Sequence, residues 1–276
     1  NNFGISVSAA GDVNGDGYSD VIIGASGFNS STGKAYIYFG SSSMDNISDA
    51  TMIGESFSNS LFGSSVASAG DVNGDGYPDV IIGAYAYNSS MGRAYVYFGG
   101  TAINDNTADI TLSGEATSNY FGNSVSTAGD INGDGFSDMI IGAYSKNTAY
   151  IYYGGSVIGS SADVILYGEA GSLFGKSVSS AGDINKDGYS DVIIGSEQYG
   201  STGRAYIYYG GISMNSTADC FMTGETSQDR FGSDVSFAGD INGDGYSDVI
   251  VGAYDYGTLK GKSYLYTGSA ISAKPI

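Results

Sequence analysis

The sequence predicts an all-β protein built from five copies of one four-stranded unit. A nine-residue stretch, first seen as Asp-Val-Asn-Gly-Asp-Gly-Tyr-Ser-Asp from Asp12, occurs five times. The copies begin at Asp12, Asp71, Asp130, Asp183 and Asp240, with spacings of 59, 59, 53 and 57 residues. Such regular spacing is typical of repeat architectures. The composition agrees, because 45 Gly and 24 Tyr favour strands and turns over long helices.

Each copy begins with a Phe-Gly pair nine residues before the nine-residue loop. The pairs are Phe3-Gly4, Phe62-Gly63, Phe121-Gly122, Phe174-Gly175 and Phe231-Gly232. A segment of small alternating residues follows each pair, as in residues 64–69. Alternation of this kind predicts the first strand of the unit.

An apolar run follows each loop and predicts the second strand. The runs cover residues 21–24, 80–83, 139–142, 192–195 and 249–252. Each is β-branched or Met in its first three positions and ends in Gly. We therefore expect a strand that is buried on both faces.

Two further strands complete the unit. An aromatic third strand is expected at residues 35–39, 94–98, 149–153, 205–209 and 263–266, and a weaker outer strand at 51–53, 110–112, 164–167 and 221–223. Each unit is then an antiparallel meander whose first hairpin is the loop. Four-stranded sheets that pack radially form a β-propeller. We expect one propeller domain with blades at approximately 1–56, 57–116, 117–170, 171–226 and 227–276, the fifth lacking its outer strand.

The repeated loop has the spacing of a calcium site. Oxygen-bearing side chains stand at its first, third, fifth and ninth positions, Gly stands at the sixth, and the seventh would offer its carbonyl, as in the first part of an EF-hand loop. We therefore expect up to five Ca²⁺ ions. The predicted ligands are Asp12, Asn14, Asp16, Tyr18 and Asp20; Asp71, Asn73, Asp75, Tyr77 and Asp79; Asp130, Asn132, Asp134, Phe136 and Asp138; Asp183, Asn185, Asp187, Tyr189 and Asp191; and Asp240, Asn242, Asp244, Tyr246 and Asp248.

The alternative is that the Asp-Asn-Gly clusters are turns without metal. A turn does not require the ninth-position Asp, however, and that Asp is present in every copy. The fourth loop differs because Lys186 replaces Gly, so we expect it to bind calcium most weakly. Strain in a left-handed conformation and a nearby positive charge would both act against the ion.

The charge balance supports the same interpretation. The formal charge is −19, from 29 acidic and 10 basic residues, and three aspartates in each of five loops account for 15 of the acids. Five bound calcium ions would bring the charge to −9. An acidic surface disfavours nucleic acid and anionic membranes as partners.

These residues resemble the FG-GAP repeat of integrin α-subunit propellers and related extracellular proteins. The resemblance rests on the Phe-Gly pair, the DxNGDGxxD loop and the Gly-Ala that ends the second strand, and it covers nearly the whole chain. It implies a propeller with its calcium loops on one face and its ligand on the opposite face. The chain departs from the family's Gly-Ala-Pro, with Ser26, Tyr85, Tyr144 and Tyr254 in place of Pro and Ser196-Glu197 after the fourth Gly. It also supplies fewer blades than an integrin propeller.

Candidate ligand-binding residues are those that differ between copies on the face opposite the loops. The principal candidates are Tyr85, Tyr87, Tyr144, Tyr199, Tyr254 and Tyr256, with Phe28, Lys146, Phe57, Tyr120 and Arg230 around them. Tyr offers a rigid apolar ring with a hydroxyl, which suits protein or sugar surfaces. The alternative is that these rings pack between blades. The repeated Gly-Glu pairs, ending in Glu55, Glu115, Glu169 and Glu225, are expected to tie neighbouring blades together.

Catalysis has little support in the sequence. The chain lacks His, which excludes a Ser-His-Asp arrangement, and the single Cys220 forms no internal disulfide and is expected to be a buried apolar residue. We expect a non-enzymatic extracellular adhesion or recognition module for protein or glycan. The alternatives are a structural subunit that self-assembles through the open edge of its fifth blade, and a carbohydrate-active enzyme.

Location is predicted from weaker features. No stretch is long and apolar enough for a membrane span, and a start at Asn1 rather than Met is consistent with removal of an export signal. Glycosylation sequons at Asn29, Asn46, Asn88 and Asn215 agree with a secreted or surface glycoprotein.

Overall fold

The computed structural model describes residues 1–55, 59–100, 103 and 106–272 and contains five antiparallel sheets. The first sheet holds β1 (Phe3–Gly11), β2 (Asp20–Ala25), β3 (Lys34–Tyr38) and β4 (Ala50–Ile53). The second holds β5 (Ser65–Gly70), β6 (Asp79–Ala84), β7 (Arg93–Tyr97) and β8 (Ile110–Ser113), with the helical turn α1 (Tyr87–Ser90) between β6 and β7. Strand order follows chain order in both sheets, so each is a meander as predicted.

The other three sheets follow the same plan. The third holds β9 (Phe121–Gly129), β10 (Asp138–Ala143), β11 (Thr148–Tyr152) and β12 (Val164–Tyr167). The fourth holds β13 (Val178–Gly182), β14 (Asp191–Ser196), β15 (Arg204–Tyr208) and β16 (Cys220–Thr223). The fifth holds β17 (Phe231–Gly239), β18 (Asp248–Ala253) and β19 (Lys262–Tyr266), with the turns α2 (Tyr256–Leu259) and α3 (Gly268–Ser272). It has three strands among the described residues, in agreement with the prediction.

The chain divides into two compact units. One comprises Asn1–Thr127 and Gly154–Ser161, and the other comprises Ala128–Tyr153 and Ala162–Ile276. In the first unit, one apolar core runs from the first sheet into the second and includes Ile22, Met52 and Phe62. In the second unit, one core is built from the third and fourth sheets around Phe174, and another from the fourth and fifth around Phe231.

The second strand of each sheet lies at the centre of its core, but the prediction of burial on both faces is only partly correct. All six residues of β6, β10 and β14 are buried. In β2 and β18, by contrast, Val21 and Ile250 are 37% and 39% exposed. One face of the first sheet and one face of the fifth therefore remain open to solvent.

Candidate metal loops

The five repeated loops each connect the first and second strands of a sheet, and their side chains are organised in the same way. In the first loop the Asp12 carboxylate accepts hydrogen bonds from the backbone N–H groups of Asp16 at 2.9 Å and Gly17 at 2.8 Å. Asn14 accepts from the Asp16 N–H through its Oδ1 and donates to the Asp16 carboxylate at 3.0 Å. The side chains at positions one, three and five are thus drawn together over the loop backbone.

The same hydrogen bonds recur in the other four loops. The fifth-position N–H donates to both the first and third side chains, with distances of 2.8 to 3.1 Å. The N–H of the seventh residue donates to the fifth carboxylate in every loop. The predicted ligands at positions one, three and five therefore lie together in all five copies.

The ninth-position aspartate has a different environment. In the second loop Asp79 begins β6 and is completely buried, and its two carboxylate oxygens accept the N–H groups of Val72 and Gly99, both at 2.8 Å. Asp20, Asp191 and Asp248 cap equivalent pairs of N–H groups at the start of β2, β14 and β18. This side chain holds the loop to its own sheet, a role that the sequence analysis missed.

Burial and nearby carboxylates raise the pKa of the capping Asp20, Asp79 and Asp191. Burial raises the pKa of Asp79 and of Asp191 to about 7, although the two backbone hydrogen bonds lower it. The first and fifth carboxylates of the same loop raise it further. A cation placed among these carboxylates would remove that repulsion.

The donor set suits a hard cation, although three acidic side chains do not converge. In the part of the chain that the structure describes, no group of three Asp, Glu, His or Cys side chains lies close enough to hold a metal ion. The gathered set is instead two carboxylates and one amide, with the third carboxylate capping the strand. Carboxylate, amide and carbonyl oxygens are the ligands that calcium takes in proteins.

Lys186 has the left-handed backbone that the sequence analysis anticipated for its position, with φ of 65°. The sequence predicted that its ammonium group would lie beside the fourth loop, but the group extends to the fifth loop instead. The Nζ atom lies 3.4 Å from the Asp244 carbonyl oxygen and 4.9 Å from the centre of the Tyr246 ring, both in the fifth loop. The extra positive charge therefore belongs mainly to the neighbouring site.

The predicted ligand-binding tyrosines lie where the second strand leads into the third, at the end opposite the loops, and several are covered by cations. Arg93 lies 4.0 Å from the centre of the buried Tyr87 ring, Arg204 lies 3.6 Å from that of Tyr199, and Lys262 lies 4.7 Å from that of Tyr256. These contacts favour the packing interpretation for the three rings.

The remaining candidates are more varied. Tyr85 is half-buried with its ring centre 5.8 Å from that of Tyr120, Tyr144 is half-buried, and Tyr254 is 49% exposed. Lys34 lies 5.4 Å from the Phe28 ring, Lys146 donates to the Tyr150 hydroxyl at 3.1 Å, and Arg230 lies 3.8 Å from Asp255. Phe57 falls outside the described residues.

The repeated glutamates tie neighbouring sheets together, as predicted. Glu55 follows the first sheet and binds Arg93 and Tyr95 of the second, the Tyr95 hydroxyl at 3.1 Å. Glu169 accepts the Tyr206 hydroxyl of the fourth sheet at 2.6 Å, and Glu225 accepts Lys262 of the fifth at 2.8 Å. These acids are therefore structural, and the prediction is confirmed for three of the four.

Comparison with known proteins agrees with this architecture. The FG-GAP repeat matches residues 3–38, 62–97, 121–158, 174–208 and 231–267. Integrin alpha-5 of Xenopus laevis is 32% identical over 187 residues, which are 59% of this chain and 18% of that protein. Integrin alpha-PS5 of Drosophila melanogaster is 32% identical over 156 residues, or 51% of this chain and 15% of that protein. Human integrin alpha-7 is 32% identical over 157 residues, which are 52% of this chain and 13% of that protein. The matched region therefore spans less than a fifth of each relative.

Proposed function

Because the chain belongs to the FG-GAP repeat family, whose repeats match all five sheets, we propose that it is a calcium-stabilised β-propeller module for extracellular recognition or adhesion. The observation that carries the proposal is the repeated geometry of the loops. Two carboxylates and an amide are gathered over the same backbone turn in all five copies. A purely structural turn would not require two carboxylates so close together.

In this proposal each ion takes oxygen ligands from one loop. The side chains at positions one, three and five, the carbonyl of position seven and a free lone pair of the ninth carboxylate would hold it. The ion supplies charge neutralisation and a rigid loop, with no chemical reaction. Rigidity would extend to the adjacent sheet, since the Val13 carbonyl accepts the Gly100 N–H at 2.7 Å and the Asp183 carbonyl accepts the Ser247 N–H at 3.0 Å.

Calcium binding can be tested by calorimetric titration of the metal-free protein, together with melting curves in calcium and in EDTA. We expect up to five ions and a higher melting temperature in calcium, because a ligand at 100 times its dissociation constant adds about 2.7 kcal/mol per site. Magnesium at the same concentration is the control, since it prefers a smaller octahedral site. A melting temperature that EDTA leaves unchanged would refute the metal assignment.

The binding partner is proposed to be an extracellular protein, with a glycan as the alternative. The supporting features are the relationship to integrin α chains, the exposed Tyr254 ring and the four sequon asparagines, all of which are exposed. No helix among the described residues has the length and apolar character needed to cross a membrane.

The partner surface can be tested with immobilised protein and panels of purified matrix proteins and glycans. Tyr254→Ser is the test variant. Tyr18→Ser is its matched control, since the two rings are 49% and 48% exposed at opposite ends of their sheets. Weaker capture by Tyr254→Ser alone would support a partner site at the end of the sheets opposite the loops. Weaker capture by Tyr18→Ser alone would support a partner site at the loops.

A further inference from the structure

The metal loops of neighbouring repeats are in direct contact within the second compact unit. The N–H of Ser190 in the fourth loop donates to the backbone carbonyl of Asp130 in the third loop at 2.9 Å. The N–H of Ser247 in the fifth loop donates to the backbone carbonyl of Asp183 in the fourth loop at 3.0 Å. In both cases the eighth residue of one loop binds the first residue of the preceding loop. One backbone hydrogen bond therefore recurs between successive loops.

The peptide group that makes this hydrogen bond also carries a proposed metal ligand. The Ser190 N–H and the Tyr189 carbonyl belong to the same peptide bond, and the proposed function assigns that carbonyl to the ion of the fourth loop. The peptide is trans and planar, so its C=O and N–H point in opposite directions. Its oxygen can thus serve its own loop while its N–H holds the preceding loop. We call this group the bridging peptide.

Side chains of the seventh and eighth residues also pack on glycines of the preceding repeat. A Cβ on Gly133, the fourth residue of the third loop, would overlap the Tyr189 ring. A Cβ on Gly129, just before the third loop, would overlap the Ser190 side chain. The backbone of the third loop is therefore shaped to receive the fourth loop.

The first compact unit contains a natural variant of this contact. The eighth residue of its second loop is Pro78, which has no N–H to donate to Asp12 of the first loop. The packing on glycine is retained, because a Cβ on Gly15 would overlap the Tyr77 ring and a Cβ on Gly11 would overlap the proline ring. The first and second loops therefore touch as the third and fourth do, without the bridging hydrogen bond.

A second hydrogen bond between loops is common to both units. The Gly100 N–H donates to the Val13 carbonyl of the first loop, and the Gly211 N–H donates to the Ile131 carbonyl of the third loop, both at 2.7 Å. Each donor follows a glycine that is bound by the ninth aspartate of its own repeat. This contact places successive loops side by side in both units. The bridging hydrogen bond is what distinguishes the third and fourth loops from the first and second.

We propose that bridging peptides couple calcium binding between successive loops of the second unit, an inference that rests on the proposed calcium function. When the Tyr189 carbonyl serves as a ligand, its peptide is polarised, so the Ser190 N–H donates more strongly to Asp130. Asp130 is itself the first ligand of the third loop, which is thereby held ready for its ion. Coupling between two sites is reciprocal, so a filled third loop favours filling of the fourth equally.

The sixth glycine of each loop provides a separate reporter in nuclear magnetic resonance spectra of ¹⁵N-labelled protein. The Gly135 N–H donates to the Asp130 carboxylate at 3.0 Å, and the Gly188 N–H donates to the Asp183 carboxylate at 2.9 Å. A cation bound by either carboxylate would shift the amide signal of that glycine. The calcium midpoints of the third and fourth loops can then be read separately from one sample of the whole chain.

The test weakens the fourth loop and follows the third. Asp187→Asn removes a ligand charge but keeps an oxygen for the N–H of the seventh residue, so the Gly188 midpoint should rise. The Gly135 midpoint should rise with it by about fivefold, the lower end of couplings between protein sites. In a Ser190→Pro background, which lacks the bridging N–H as the second loop does, Asp187→Asn should raise the Gly188 midpoint alone.

The first unit supplies the matched control. Asp75→Asn should raise the midpoint of Gly76 in the second loop and leave that of Gly17 in the first loop unchanged. Pro78→Ser supplies the missing N–H, and in that background the Gly17 midpoint should rise together with that of Gly76. This gain of coupling tests the proposal even if Ser190→Pro fails to fold.

The outcomes separate the coupling from calcium binding itself. A Gly135 midpoint that stays constant while Asp187→Asn raises that of Gly188 would overturn the coupling and leave the calcium assignment intact. A Gly135 response that persists in the Ser190→Pro background would also overturn it, because another contact would then carry the effect. If calcium shifts none of the loop glycine signals, the proposed function fails and this inference fails with it.

Discussion

At the residue scale, two kinds of aspartate in each loop have different roles. Asp75 is exposed and lies with the gathered oxygens, whereas Asp79 is buried and caps two backbone N–H groups. Both occupy positions that the loop pattern assigns to metal ligands. Their environments predict that equal substitutions will have unequal consequences.

We predict that Asp75→Asn will lower the melting temperature in calcium and leave it nearly unchanged in EDTA, because it removes a ligand charge at an exposed site. Asp79→Asn should lower the melting temperature in both conditions. Its amide group would face one of the two N–H donors, which leaves a buried donor unsatisfied at a cost of about 1–3 kcal/mol. Melting curves of the pair test this, and an Asp79→Asn effect confined to calcium would contradict the capping role.

Lys186 provides a second residue-scale prediction. Lys186→Gly should tighten calcium binding, because it relieves about 1–2 kcal/mol of left-handed strain and removes an ammonium group from beside Asp244. Lys186→Met keeps the strain and removes only the charge. If charge is the larger effect, both variants will tighten the fifth site in a calorimetric titration. If strain is larger, only the Gly variant will tighten the fourth.

At the element scale, two of the cations that begin third strands, Arg93 and Lys262, connect one sheet to the next. Lys262 begins β19 and lies over the Tyr256 and Tyr264 rings. Its ammonium group donates to the carboxylate of Glu225, which follows the fourth sheet. Glu225 is exposed, and surface ion pairs contribute little. We expect Glu225→Gln to reduce the free energy of unfolding by less than about 1 kcal/mol, measured by urea denaturation. A larger loss would mean that the pair organises the sheet contact.

Cys220, on β16, tests the packing of the fourth sheet against the fifth. Its thiol is buried 3.8 Å from the Tyr209 hydroxyl, and burial raises its pKa to about 11. A raised thiol pKa means that the folded state favours the neutral form, so stability is full below the unfolded pKa and falls as pH rises through it towards 11. We expect alkylation at pH 8 to be slow in the folded protein and rapid in denaturant, measured by mass spectrometry. Rapid alkylation of the folded protein would show that the Cys220 thiol on β16 is accessible to the reagent.

The strands could be predicted well from the sequence because each strand pattern occurs in several copies of the repeat that can be compared with one another. The predicted third strands, such as 94–98, match β7 (Arg93–Tyr97) within one residue at each end. The sequence also predicted the loops because their ligand spacing is local. It could not show that Arg93 covers Tyr87 or that Asp79 caps Gly99, because those contacts depend on how the meander turns back on itself. The available signal was a cation at the first position of the third strand in four of the five repeats, namely Lys34, Arg93, Arg204 and Lys262.

At the scale of the whole molecule, the net charge of −19 makes the metal-free protein sensitive to salt. The carboxylates of each loop repel one another without a counterion, and dissolved salt screens that repulsion between exposed charges. We predict that sodium chloride will raise the melting temperature in EDTA and change it much less in saturating calcium, where five ions would reduce the charge to −9. The control is a matched series in which an uncharged osmolyte replaces sodium chloride at the same concentrations. If sodium chloride changed the melting temperature equally with and without calcium, calcium would not be neutralising the loop carboxylates. The acidic surface would then need another cationic partner.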